Sequence, residues 1–226
     1  MSTQRLIKDE RGATLIELVV GMFAGLVVMA ALITLIMVTI GTTSRVSARV
    51  HATQEARLTL NKVIDQLHSA CIAPKIPPIR EGSSATELRF VHATGSAVSP
   101  TPTETRITYA NGELTQRDYS WVKGVAPLWE FQTTPSRTVL LNDGIGPIGN
   151  KPVFTYYRSS GGTPAQLEAP LTGAEPNETI HVTVAFSATP NDDNGEDATP
   201  ARIQGSATLR LTGILYSTTA PSYPCQ

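Results

Sequence analysis

Residues 8–24 read Lys-Asp-Glu-Arg-Gly-Ala-Thr-Leu-Ile-Glu-Leu-Val-Val-Gly-Met-Phe-Ala, and they open an apolar run that decides the architecture. Leu18 to Ile40 supplies 23 residues without a charge or a proline. At about 1.5 Å per residue, such a helix reaches roughly 35 Å, enough to cross a hydrocarbon core of about 30 Å. Glu17 stands one residue before that run and is the fifth residue after the Gly12–Ala13 bond. A carboxylate in lipid costs about 2.5–3.5 kcal/mol even on the permissive insertion scale, so its presence asks for a partner.

The stretch Gly12-Ala13-Thr14-Leu15-Ile16-Glu17 resembles the prepilin-type cleavage and methylation motif of type IV pilins and pseudopilins. The resemblance covers about 30 residues. It implies that a membrane prepilin peptidase cuts after Gly12 and methylates the new amino terminus at Ala13, with Glu17 supporting methylation and assembly. Many major pilins carry Phe where this chain has Ala13, a departure that favours a minor subunit. The physics agrees with these roles. A free amine at Ala13 and the carboxylate of Glu17, four residues on, share a helix face. In a low-dielectric bundle, the amine pairs with its own Glu17 or with that of a neighbouring helix, which would set axial register.

A secretion signal of the ordinary kind has a 7–15-residue apolar segment and a cleavage site behind it. Here the apolar segment is longer and the cut is expected in front, so the helix stays on the mature protein. Loop charge leaves the orientation open, because Arg5, Lys8 and Arg11 precede the span while Arg45, Arg49 and Arg57 follow it. Topology therefore rests on the motif and on the long polar remainder. The expectation is a single-pass protein of the inner (cytoplasmic) membrane with its C-terminal domain outside the cytoplasm, joining a surface filament after assembly.

The organisation expected is a leader at 1–12, a transmembrane half-helix at 13–43, an amphipathic half-helix at 44–71 and an exported β-rich domain at 72–226. Thr42 to Ala70 contains no proline, and Val46, Val50, Thr53, Ala56, Leu60, Val63 and Leu67 recur at steps of three and four. Pro74, Pro77 and Pro78 end the helix. Beyond them the period becomes two. Strands are expected at Leu88–His92, Val139–Leu141, Val153–Tyr157, Thr179–Ser187 and Ile203–Leu215. A hairpin is expected at Ile107–Gln116 around Asn111-Gly112. One long helix followed by a mostly antiparallel sheet is an α+β fold. The order, with the segments at 55–67, 107–117 and 139–157, is similar to the J-type minor pseudopilins of type II secretion and related pilus systems.

Composition narrows the partners. The chain carries 18 bases and 19 acids. Removing residues 1–12 takes three bases and two acids with them, so no polybasic footprint for nucleic acid remains. No catalytic or metal site is expected: His51, His68, His92 and His181 are scattered, and no phosphate loop or nucleophile elbow occurs. Asp192, Asp193, Glu196 and Asp197 lack calcium-loop spacing and read as a solvated loop between two strands. Asn177-Glu178-Thr179 matches a glycosylation sequon and reads as the turn before a strand. Cys71 and Cys225 are either free or bridged, and in an exported domain the bridge is the expectation. No cofactor is expected.

Two function classes follow. The favoured one is a minor pilin or pseudopilin, a structural subunit whose partners are other such subunits, the prepilin peptidase and the membrane. The alternative is a single-pass anchored binding or sensor domain that never polymerises. An enzyme is not expected.

Overall fold

The computed structural model describes residues 14–70, 77–96, 99–123, 130–190 and 199–209. The chain divides into two compact units, residues 1–47 and 48–226. Helix α1, Leu15–His68, runs for 54 residues. Among the described residues ten strands and one short helix follow: β1 Glu87–Ser96, β2 Ser99–Ala110, β3 Glu113–Lys123, β4 Glu130–Phe131, β5 Arg137–Asn142, β6 Ile145–Gly146, β7 Phe154–Ser160, β8 Thr163–Gln166, α2 Glu175–Glu178, β9 Thr179–Ala188 and β10 Ala201–Thr208. This is the expected α+β fold, a long N-terminal helix packed on antiparallel sheet.

The strands form two sheets rather than one. In the first, β1, β2 and β3 are neighbours, and β3 pairs with β5 along one half and β4 along the other. In the second the order is β10-β9-β7-β8, with β6 beside β9. Every pairing is antiparallel. The β2–β3 hairpin turns at Asn111 and Gly112, with φ of 52° and 83°, the positive pair that a two-residue turn of this hand requires. Asparagine tolerates that region and glycine prefers it, so the dipeptide fixes the register of both strands.

The C-terminal part of α1 is the spine of the core. Ala56, Leu60, Val63 and Leu67 are buried there with Leu88, Phe90, Ile107 and Leu114 from the first sheet and Phe154, Tyr156, Val182, Val184 and Phe186 from the second. Hydrogen bonds fix the helix at two levels. Thr59 Oγ1 donates to the Leu141 carbonyl at 3.0 Å, and Gln66 Nε2 donates to Gln116 Oε1 at 3.3 Å. On the second sheet, Gly205 lies so close beneath α1 that a Cβ there would stand 2.9 Å from Leu60 Cδ2. A side chain at that position would have to displace Leu60 from its place in the core.

The helical stripe is buried along only part of its length. Val46 and Val50, read from sequence as its continuation, are exposed at 63% and 49%. Thr53 is half-buried and its hydroxyl donates back to the Arg49 carbonyl. Covering begins at Ala56, where sheet residues are available to pack. The last expected strand, Ile203–Leu215, is seen as β10 up to Thr208, and residues 210–215 lie outside the described residues.

Among the described residues Tyr156 is the largest fully buried side chain, and its hydroxyl lies 3.0 Å from the carbonyls of both Ser84 and Glu87. Burial pushes its phenol pKa well up, which keeps the O–H donor in place. Tyr156→Phe removes that donor and leaves the ring packing intact, so it should cost about 1–2 kcal/mol. Denaturant titration of the detergent-solubilised chain, followed by tryptophan fluorescence, should show an earlier midpoint with an unchanged slope. An unmoved midpoint would show that the hydroxyl contributes nothing.

Candidate functional site

The first turn of α1 is built by Thr14-Leu15-Ile16-Glu17. Thr14 precedes the helix, its carbonyl accepts from Glu17 N–H at 3.0 Å and Leu18 N–H at 3.2 Å, and its Oγ1 stands 3.4 Å from Glu17 N. A hydroxyl three residues ahead of a glutamate is the spacing of a helix N-terminal cap, which satisfies amide donors that have no intrahelical partner. Glu17 falls in that first turn, where a carboxylate faces the positive end of the helix dipole. The side chain is exposed. Gly12 and Ala13, the expected cleavage and methylation positions, lie outside the described residues, as do Cys71 and Cys225 and the acidic positions 192, 193, 196 and 197.

From Leu15 to Ile40 every large apolar side chain is exposed, between 41% at Val19 and 83% at Leu15. The threonine hydroxyls of this stretch and of the turn after it are satisfied by the helix itself. Thr34, Thr39, Thr42 and Thr43 each donate to a carbonyl three or four residues earlier, at 2.8–3.0 Å. Such back-bonding leaves no hydroxyl in need of water, the condition that hydrocarbon imposes. α1 is thus long and apolar enough to cross a membrane, as a single-pass anchor requires.

Among the described residues nothing packs against the glycines of this helix. A Cβ added at Gly21, Gly25 or Gly41 would meet nothing within 4 Å. Each glycine lowers helix stability by about 1 kcal/mol relative to alanine. Close approach by another helix is the use that such gaps serve in membranes.

Two polar assemblies occur in the sheet unit that residue spacing did not reveal. In the first, His92 Nε2 lies 3.0 Å from Thr105 Oγ1, which donates to Asp118 Oδ1 at 2.7 Å. Gln116 Nε2 donates to the same oxygen at 2.8 Å, while Gln116 Oε1 accepts from Gln66 Nε2 on α1. All four sheet residues are buried, and Thr105 is fully so. This chain of bonds links the C-terminal part of α1 to the first sheet. Among the described residues, no group of three or more His, Cys, Asp or Glu side chains is placed to hold a metal ion.

The second assembly is arginine-rich and lies on the opposite face of the first sheet. Arg106 Nε binds Glu104 at 2.7 Å, and the Arg106 guanidinium sits 4.2 Å above the centre of the Tyr119 ring. Arg89 Nε binds Glu87 at 2.6 Å, while Arg80 Nε approaches Glu104 at 3.9 Å. Partial burial works to lower the Arg106 pKa, and the hydrogen bond and charge of Glu104 more than offset it, so it stands above its ordinary value. Alternation within single strands carries no signal for this grouping, because it depends on the register between three strands.

No protein-family model matches the chain, and no curated protein matches it in sequence.

Proposed function

We propose that the protein is a minor pilin or pseudopilin, a structural subunit that is cleaved at Gly12–Ala13 and joins a filament through α1. The observation that carries this reading is the N-terminal stretch of α1. An apolar surface long enough to span a membrane follows directly on a capped acidic first turn, with the cleavage motif in front of it. A lipid-facing anchor has no use for Glu17 or for the gaps at Gly21 and Gly25. A bundle of like helices uses both: the glycines admit close packing, and Glu17 receives an amine. The sheet unit would then be the part displayed outside the membrane. The J-type minor position rests on the order of elements and on Ala13.

A photo-crosslinking residue placed at Leu26, which is 65% exposed, tests the packing in native membranes. The expected products are discrete adducts with chains that carry their own Thr-Leu-Ile-Glu segment. A yield of lipid adducts alone would favour the anchored domain that never polymerises.

A further inference from the structure

The register of the first sheet sets arginines directly opposite one another on three adjacent strands. Arg89 of β1 faces Arg106 of β2, and Arg106 faces Arg117 of β3. Arg80 continues the row, since its backbone N–H donates to the Arg89 carbonyl at 2.8 Å. Like charges in direct cross-strand positions are destabilising unless acidic neighbours offset them. Glu87 and Glu104 do so for Arg89 and Arg106, which they bind through Nε at 2.6 and 2.7 Å. Arg117 is exposed and forms no ion pair among the described residues.

The guanidiniums are held rather than loose. The Tyr119 ring fixes the plane of Arg106, and Glu104, with a side chain only 8% exposed, fixes its position. Arg89 lies against Gly82, where a Cβ would come within 3.0 Å of its Nη1. Arg80, Arg89 and Arg106 line one cavity of about 370 Å³ together with Glu81 and Glu104. Its wall includes Asn177, whose buried Oδ1 has no donor among the described residues. Fixed guanidinium forks match carboxylates, and the orphan amide oxygen calls for an N–H, which a peptide backbone supplies and a phosphate does not. Leu140, 52% exposed, pairs with Thr115 and so shares the face of Arg117. Trp121 follows two residues after Tyr119 on the same face and is 39% exposed. Arginine and aromatic residues together are the composition of protein-binding surfaces.

We propose that this outer face of the first sheet, centred on Arg89, Arg106 and Arg117, docks an acidic segment of a partner protein, with the guanidinium row receiving its carboxylates. The proposal is independent of filament assembly, because it concerns the sheet unit alone. The test uses the full chain in neutral detergent micelles and a fluorescent N-acetyl-hexaglutamate peptide, read by anisotropy. Saturable binding is expected at low ionic strength, weakening as salt approaches about 0.15 M. Arg117→Gln should weaken it roughly tenfold, as expected for loss of one charge-assisted contact, with an unchanged melting temperature. Arg117→Lys should lose less, since it keeps the charge and gives up the fork. Arg202→Gln, an exposed arginine of the second sheet, should leave binding unchanged. Absence of binding at low salt, an equal loss with Arg202→Gln, or displacement of the peptide by equimolar inorganic phosphate would each overturn the proposal.

Discussion

Glu17→Ala is expected to leave the chain inserted and folded while abolishing its recovery with partner subunits. In the proposed bundle the Glu17 carboxylate meets the amine of Ala13, on its own helix or on the next. Removing one member of a buried pair costs about 3–5 kcal/mol, because the other is left charged and unpaired in a medium that cannot solvate it. That corresponds to several hundred-fold or more in an association constant. The core of the sheet unit draws on α1 only from Ala56 onward, so its melting temperature should not move. Glu17→Gln should behave like Glu17→Ala, since it keeps the shape and loses the charge. An anchor that does not assemble predicts the reverse: deleting an acid beside the span would be neutral, or would favour membrane partition. Crosslinking to partner subunits in membranes separates the two, and unchanged yield in both variants would remove Glu17 from assembly.

The second large effect is expected at Gly12. A peptidase that cuts directly after this residue must accommodate it in a confined site, and glycine offers the least bulk and the most backbone freedom. Gly12→Leu should therefore stop processing, leaving residues 1–12 on the chain. Their three basic residues would stay on the cytoplasmic side, and the amine that Glu17 is proposed to receive would never form. The variant should accumulate in the membrane as the longer form and be missing from any filament fraction. Normal assembly of an unprocessed Gly12→Leu chain would separate assembly from cleavage and contradict the roles given to both residues.

The parts of this fold legible in the sequence are those set by local chemistry. The long helix followed from an unbroken apolar run and the lack of proline before Pro74, and the β2–β3 hairpin from Asn111-Gly112 between alternating strands. The limits of burial were not legible in the same way. Val46 and Val50 continue the stripe of Ala56, Leu60 and Val63, yet only the latter three meet the sheets. Periodicity states which face of a helix is apolar, and tertiary packing states how much of that face is covered. The division into two sheets was hidden for a related reason. β4 and β6 have two residues each, too few to show a period, and β5 joins β3 across a register shift between Leu114 and Thr115.

The same distinction separates the two sites. Gly12, Ala13 and Glu17 are contiguous, so their pattern is visible in one dimension. Arg89, Arg106 and Arg117 become a row only when three strands pair in one register, and His92, Thr105 and Asp118 meet only through that same pairing. Asn177 was expected to lie in a turn; it falls in the four-residue helix α2 that leads directly into β9, and it reaches the arginine cavity from there.

The central claim is that the apolar helix is the assembly element of a processed subunit, and the mass of the mature chain tests it most directly. The protein is extracted from membranes of cells that carry a prepilin peptidase and weighed intact, with its amino terminus sequenced by fragmentation. The account predicts a chain that begins at Ala13, has lost residues 1–12 and carries one added methyl group on its terminal amine. A full-length chain that still begins at Met1 in the same cells would contradict it.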